Sequence, residues 1–470
     1  MLPPPLHQRL RSLLGDGAFL TDPADCLAYG YDNSRRQGRP AAVALPTDSS
    51  QVLELVRACR DAGVAITARG RGTATTGAAV PDEGSLVVSF ERMDGLLRIE
   101  PDDRLAVVQP GLLNGDLQQA AAAHGFFWAP DPTSAPYCTV GGNLACNAGG
   151  PRAVKYGAAR DNVLALAAVS GRGEAFRCGA ATTKSAIGYD LTRFLVGSEG
   201  TLALITEATL RLLPLPEART GLRALYADTA AAAAAVARIM AQPVTPSALE
   251  FMDAAALKLA RDVGGADIGA GGALLMIEVD GRHDALGDAA AAVSKAAEGQ
   301  GLIELAASDD LDTLWQARRR LSPALRTLAP GKINEDVVVP VSRLPALIAG
   351  LEALSTRHGI PIVNFGHAGN GNIHVNLLHQ PDDPRHAEAA PRCLAEVFEL
   401  VLELGGTLSG EHGIGIDKRD FLARALDAEC LALLHGVKAV FDPDGILNPG
   451  KLLPLSGLGT RDSGLGSAGN

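Results

Sequence analysis

Cysteine is sparse in this chain, and its spacing serves no common purpose. The seven cysteines (Cys26, Cys59, Cys138, Cys146, Cys178, Cys393 and Cys430) are odd in number, scattered and never spaced C-x-x-C. This excludes a disulfide framework, a cysteine zinc site and an iron–sulfur cluster of the chain's own, and fits a reducing cytoplasm. Long apolar runs are missing as well. The most apolar-looking stretch, 230–241, is mostly alanine and carries Arg238, which is too short and too weakly hydrophobic to span a bilayer. Residues 1–20 hold prolines and scattered arginines without the apolar core of a signal peptide. Positive charge is in deficit: 42 Lys and Arg stand against 53 Asp and Glu, a net charge of −11. Such a chain repels phosphate backbones and anionic headgroups, so nucleic acid is not an expected partner. Two nucleotide fingerprints are absent. G-x-x-x-x-G-K-[ST] occurs nowhere, and Thr75 stands where Gly70-Arg71-Gly72-Thr73-Ala74-Thr75 would need the third glycine of G-x-G-x-x-G. A P-loop ATPase and an ordinary nicotinamide site are therefore disfavoured.

The 470 residues are enough for about three domain-sized units. Residues 41–213 read as an α/β unit. A helical period runs through Val52, Leu55, Val56 and Cys59, and strands are expected at 64–68, 86–90, 105–109, 163–170 and 203–213. Leu213-Pro214-Leu215-Pro216 marks a boundary. Beyond it, strands expected at 222–226, 273–279, 302–305, 337–339 and 362–365 alternate with helices at 229–240, 284–297, 311–322 and 343–358. This is the pattern of a second, α+β unit. The expected domains are 1–215, 216–410, a helical return segment 411–453 and a Gly/Ser-rich disordered tail 454–470. The alanine runs 230–235 and 289–292 read as helix surface.

Glycine is concentrated where chemistry is expected. The loop Arg69-Gly70-Arg71-Gly72-Thr73, continuing to Gly77, follows a strand and can aim several backbone N–H groups at one anion. Thr139-Val140-Gly141-Gly142-Asn143 through Asn147-Ala148-Gly149-Gly150 packs four glycines and two asparagines into twelve residues, which suits backbone approaching a flat ligand closely. Gly188–Leu191 and Gly197–Leu202 add a third cluster. Surface turns would use the same residues.

The second unit carries His367-Ala368-Gly369-Asn370-Gly371-Asn372-Ile373-His374. An Asn370-Gly371 hairpin turn would pair His367 with His374 on one face, about 5 Å apart at Cβ. Both imidazoles would then be within reach of one metal. Asn376 shares that face. Ser409-Gly410-Glu411-His412-Gly413-Ile414-Gly415 reads as a pinched loop in which Glu411 supplies a third ligand and His412 a general base. A cross-strand histidine pair and a surface acid are the alternative reading. On helix 311–322, Leu311, Leu314, Trp315, Arg318 and Ser322 share one face. Arg318 can there clamp a carboxylate or extend to water.

Taken together, Pro46, the Arg69–Gly77 loop, Pro132-Thr133, Val140-Gly141-Gly142, Asn147–Gly150 and Gly197–Leu202 resemble the FAD-binding domain of the vanillyl-alcohol-oxidase-type flavoproteins. With His367-x6-His374, Glu411–Gly415 and Asp442-Pro443…Asn448-Pro449-Gly450-Lys451, the likeness narrows to the FAD-linked D-2-hydroxyacid dehydrogenase branch. That branch includes D-lactate, glycolate and D-2-hydroxyglutarate dehydrogenases.

The resemblance implies a two-part FAD-binding domain plus an α+β substrate cap with an antiparallel sheet. It places FAD on Pro46, Arg69, Gly70, Arg71, Gly72, Thr73, Gly77, Pro132, Thr133, Gly141, Gly142, Asn143, Asn147, Gly149, Gly150, Glu199, Gly200, Ile205 and Asn448. The FAD would be non-covalent, because the loop has no histidine. The resemblance also implies a divalent metal, usually zinc, on His367, His374 and Glu411, with His412 as base and Arg318, Ser322 and Asn376 toward the substrate. Dicarboxylate members tend to have Lys where this chain has Asn334, which favours D-lactate or glycolate over D-2-hydroxyglutarate. Reduced flavin would pass electrons to a quinone, a cytochrome or an electron-transfer flavoprotein. A cytoplasmic protein is expected, with peripheral attachment to the inner membrane and a homodimer both compatible. The rival readings are a hydrolase on the same metal ligands and a non-catalytic FAD-binding subunit of a larger oxidase.

Overall fold

Short apolar strands and glycine-rich connections build the first part of the chain. The computed structural model describes residues 1–264, 269–308 and 311–455. The tail expected from 454 therefore lies almost wholly outside the described residues, as do the side chains of Leu311 and Leu314. Strands β1 (Phe19–Leu20), β2 (Ala42–Ala44), β3 (Ile66–Arg69) and β4 (Leu86–Ser89) form a sheet in the order β1-β2-β4-β3. Helix Ser49–Ala62 packs on it through Val52, Leu55, Val56 and Cys59, the residues of the helical period. It is capped by Asp48, which accepts from Ser50 N and Gln51 N, and it stops at Gly63 in the left-handed conformation.

A second, antiparallel sheet follows from β5 (Leu96–Glu100), β6 (Leu105–Val108), β8 (Val163–Ser170), β9 (Ala175–Gly179) and β10 (Ala203–Arg211), in the order β5-β6-β10-β8-β9. Strands β7 (Phe126–Phe127) and β11 (Leu213–Pro214) pair only with each other. The glycine-rich segments 69–77 and 139–150 meet, with Gly70 against Thr139.

The remainder is one seven-stranded antiparallel sheet. Its strands are β12 (Ala218–Tyr226), β13 (Ala248–Asp253), β14 (Ala273–Gly281), β15 (Leu302–Ser308), β16 (Gly331–Val338), β17 (Ile362–His367) and β18 (Asn372–His379), in the order β15-β12-β14-β13-β17-β18-β16. Features not legible in the sequence include β13, the helix Ala254–Gly264 that follows it and the long helix Pro384–Glu403. Helices Thr229–Ala241, Leu286–Ala297, Leu344–His358 and Pro384–Glu403 cover one face. The alanine run at 230–235 is not surface: Ala232, Ala233 and Ala235 are buried in that core, where small side chains let the helix approach the sheet. The C-terminal segment returns to the first sheet, where Ile446 O accepts from Ile66 N and Asn448 N donates to Ile66 O. All seven cysteines are free. Among the described residues, no helix is long and apolar enough to cross a membrane.

Candidate active site

The two histidines meet on one face of the β17–β18 hairpin, in a different register from the one the Asn-Gly pair suggests. Phe365, not His367, stands opposite His374. Residues 368–370 form a 3-10 turn closed by Gly371 at φ 73°, where a Cβ would collide with Val339 O. The turn thus takes up more residues than a two-residue loop. A slip of two preserves side-chain parity, so both imidazoles still face the same way.

His367 instead stands opposite Glu250 of β13. Its Nδ1 meets Glu250 Oε1 in a short hydrogen bond, and its Nε2 lies 3.2 Å from Glu411 Oε1. His374 Nε2 lies 3.5 Å from His367 Nε2 and 3.8 Å from Glu411 Oε1. Three atoms around a tetrahedral ion at ~2.0–2.1 Å stand about 3.3 Å apart. The triad fits that geometry closely, and its donor set suits zinc.

The electrostatics agree. Burial alone would lower the pKa of His367, but the carboxylates of Glu250 and Glu411 lift it to about 10. Burial and the neighbouring His367 and His412 charges hold His374 well below the usual range. The His367 ring is therefore flanked by two carboxylates, Glu250 at Nδ1 and Glu411 at Nε2, and a divalent ion bound at Nε2 would take the place of a proton there.

The loop carrying Glu411 and His412 is held by two buried carboxylates. Asp336 Oδ2 accepts from the backbone N–H groups of Gly410 (2.9 Å), Glu411 (2.7 Å) and His412 (2.8 Å). Glu199 accepts from Ile414 N (2.6 Å) and Gly415 N (2.8 Å). Lys418, only 1% exposed, is paired with Asp336 and Glu335. Burial would raise the Asp336 pKa, yet His412, Lys418 and the converging N–H groups keep it well below the carboxylate range. For Glu199 burial outweighs its two N–H bonds and the Lys418 charge, and pushes its pKa up to about 7. The His412 ring stacks on His374 at 5.3 Å, and its Nδ1 lies 3.4 Å from Asp336 Oδ1 without a hydrogen-bond partner.

Arg318 lies on helix Leu311–Ala324. Its Nε donates to Glu250 Oε2 at 2.7 Å, and its guanidinium lies 4.5 Å from the centre of the Phe365 ring. Glu250 thus joins the candidate metal triad to Arg318. Burial would raise its pKa, but His367 and Arg318 bring it down to about 2. Glu250 and Asp336 are the functional residues that sequence reasoning missed. Their signal is a charge inside an otherwise apolar strand, at Ala248–Asp253 and at the head of Val337-Val338-Val339.

One cavity of about 450 Å³ runs from the Arg69–Thr75 loop to these residues. Arg69, Gly70, Arg71, Gly72, Thr73, Pro132, Thr133, Gly141, Gly142, Asn143, Glu199, Gly200 and Ile205 line its long arm. Arg318, Ser322, His367, His374, Glu411 and His412 line its head.

Its walls are backbone rather than side chain at five glycines (70, 72, 141, 142 and 200), a shape suited to an extended dinucleotide. Residues 140–146 form a short helix rather than a loop. A Cβ on Gly141 would strike Pro110, and one on Gly70 would strike Thr139 Oγ1. Pro46, Gly77, Asn147, Gly149, Gly150, Asn448 and Asn376 do not line the cavity. Asn147 ends the short helix and accepts from Arg160 N. Gly150 packs against Asp131 and Gly77 against Ile416. Asn448 Nδ2 ties Ala78 O to Glu199 O. Asn376 is spent within the sheet, on Asn334, Val363 O and His374 O.

Comparison with known proteins decides the family. A model described as "FAD binding domain" matches residues 40–179, and one described as "FAD linked oxidases, C-terminal domain" matches residues 215–452. The chain belongs to the FAD-linked oxidases. It is 36% identical over 459 residues to the glycolate oxidase subunit GlcD of Bacillus subtilis (strain 168), covering 96% of this chain and 97% of that one. It is 33% identical over 469 residues to a D-2-hydroxyglutarate dehydrogenase of Stutzerimonas stutzeri (strain A1501), covering 96% and 99%. With a D-lactate dehydrogenase of Anaerostipes hadrus it shares 32% identity, covering 88% and 90%. Among solved structures, p-cresol methylhydroxylase superposes with a TM-score of 0.81 at 16% identity, covering 96% of this chain and 97% of that one. This FAD-linked oxidase thus has the two-domain fold of the vanillyl-alcohol-oxidase type, as the motifs implied.

Proposed function

We propose that this FAD-linked oxidase converts a D-2-hydroxy acid to the 2-oxo acid. The observation that carries the reading is the head of the cavity, where His367, His374, Glu411, His412 and Arg318 converge beside the glycine-walled arm. FAD, when bound, supplies the two-electron acceptor. His367, His374 and Glu411 would hold a divalent ion, which would supply Lewis acidity at the substrate oxygen. Arg318 holds the carboxylate: Glu250 fixes its Nε, which leaves the terminal nitrogens of the fork for two parallel hydrogen bonds. His412 accepts the hydroxyl proton, its backbone fixed by Asp336.

The relatives named for glycolate, D-lactate and D-2-hydroxyglutarate support the substrate class. The absence of histidine from the Arg69–Gly77 loop supports non-covalent FAD. The free cysteines support a cytoplasmic setting, and a respiratory acceptor such as a quinone, a cytochrome or an electron-transfer flavoprotein would take the electrons. The test is His412→Ala. FAD content should stay normal while anaerobic flavin reduction slows by about 10²–10⁴-fold. Wild-type reduction rates in that variant would remove His412 from the chemistry.

A further inference from the structure

A second hollow, of about 290 Å³, adjoins the head of the cavity and is lined by Ser322, Pro323, Arg326 and Lys332. Ser322 lines both spaces. Two elements lead from one to the other in step. On helix Leu311–Ala324, Arg318 and Ser322 are four residues apart, on one face and separated by a rise of about 6 Å. On β16, Asn334 lines the main cavity and Lys332 the hollow. Two residues apart on a strand, they share a face at a spacing of about 7 Å. Lys332 Nζ donates to Ser322 Oγ at 3.0 Å, joining the two elements.

Charge points to the occupant. Among the described residues, no carboxylate pairs with Lys332, Arg326 or Arg319, although the chain has a net charge of −11. Burial and the nearby Arg326 and Arg35 bring the Lys332 ammonium down to about 8. A half-buried cation with only cations and a hydroxyl around it is stabilised by a bound anion.

We infer that Lys332, with Ser322 and Arg326, binds a second carboxylate of the substrate, so that the preferred 2-hydroxy acid is a short dicarboxylate. The inference rests on the proposed function in one respect: Arg318 is taken to hold the first carboxylate. It runs against the expectation drawn from Asn334, because the cation comes from two residues earlier on the same strand face.

The test uses the flavin-loaded protein and a pair of acids it cannot oxidise, 2-oxoglutarate and 2-oxobutyrate, titrated calorimetrically. Wild type should bind 2-oxoglutarate about ten- to a hundred-fold more tightly, the worth of a charge-assisted hydrogen bond. Lys332→Met should collapse that ratio towards one, and Lys332→Arg should restore most of it. Equal affinities in wild type, no binding of either acid, or a ratio that survives in Lys332→Met would overturn the subsite. Anaerobic mixing with D-2-hydroxyglutarate and D-2-hydroxybutyrate separates the two readings. Selective 2-oxoglutarate binding without flavin bleaching by either acid keeps the subsite and sinks the oxidation. Bleaching by both acids with no binding preference does the reverse.

Discussion

Glu250 shows what a single buried carboxylate does here. It has no contact with solvent, and its two oxygens address His367 and Arg318. One side chain therefore orients the proposed metal ligand and the proposed carboxylate clamp together. Glu250→Gln keeps the volume and removes the charge. Metal affinity, followed by equilibrium dialysis, should weaken about 10–100-fold with FAD content unchanged; unchanged metal binding would mean that Glu250 only fills space. His367, Glu411 and His412 were legible because glycines adjoin them in the sequence, and His374 because of its spacing from His367 across the Asn-Gly pair. Glu250 was not, because its role exists only through the β13–β17 pairing, 117 residues from His367.

At the scale of elements, the loop from Ser409 to Lys418 has almost no secondary structure and is fixed by acids from elsewhere. Asp336→Ala would strand three N–H groups and leave the buried Lys418 ammonium with Glu335 and Leu408 O alone. Breaking such a buried pair costs about 3–5 kcal/mol, which denaturant titration would read; a loss below 1 kcal/mol would show that the loop is held otherwise. Glu199 gives the loop a pH dependence. Its pKa rises from 4.5 to about 7 on folding, so the folded protein binds this proton more tightly than the unfolded chain does. Its contribution to stability is therefore lost as pH rises from about 4.5 to about 7, by about 3 kcal/mol at most. Glu199→Gln should flatten that slope in denaturation curves taken across this range; an unchanged slope would assign it to other groups. Period and turn residues located five of the longer helices and ten of the strands. They did not locate β13, whose Glu250 and Asp253 interrupt the apolar pattern. They also missed the hairpin register, which the turn at 368–370 sets.

Across the whole molecule, the two halves are joined by buried charges. Arg152 pairs with Asp131 at 2.7 Å and with both oxygens of Glu278 on β14, each at 2.9 Å. Lys155 and Tyr156 meet Asp280 of the same strand. Trp315, one turn before Arg318 on its helix, donates to Glu278 and lies against the Arg152 guanidinium. The clasp thus ties the helix that carries Arg318, the proposed carboxylate clamp, to the domain that carries the glycine-walled arm. Arg152→Ala leaves Glu278, 1% exposed, without its main partner. It should destabilise the protein by about 3–5 kcal/mol and raise KM more than it lowers kcat; an unchanged KM would show that the clasp is structural only. No composition or spacing argument predicts such long-range pairs, whereas the glycine motifs and the histidine spacing carried the fold family.

The decisive measurement is the visible spectrum of the purified protein, mixed anaerobically with D-lactate, glycolate, D-2-hydroxyglutarate and L-lactate before and after chelation. A yellow protein bleached by a D-2-hydroxy acid or glycolate, not by L-lactate, and silenced by the chelator is the expected result. A yellow protein that none of them bleaches, or one bleached equally after chelation, would contradict metal-assisted oxidation at His367, His374, Glu411 and His412.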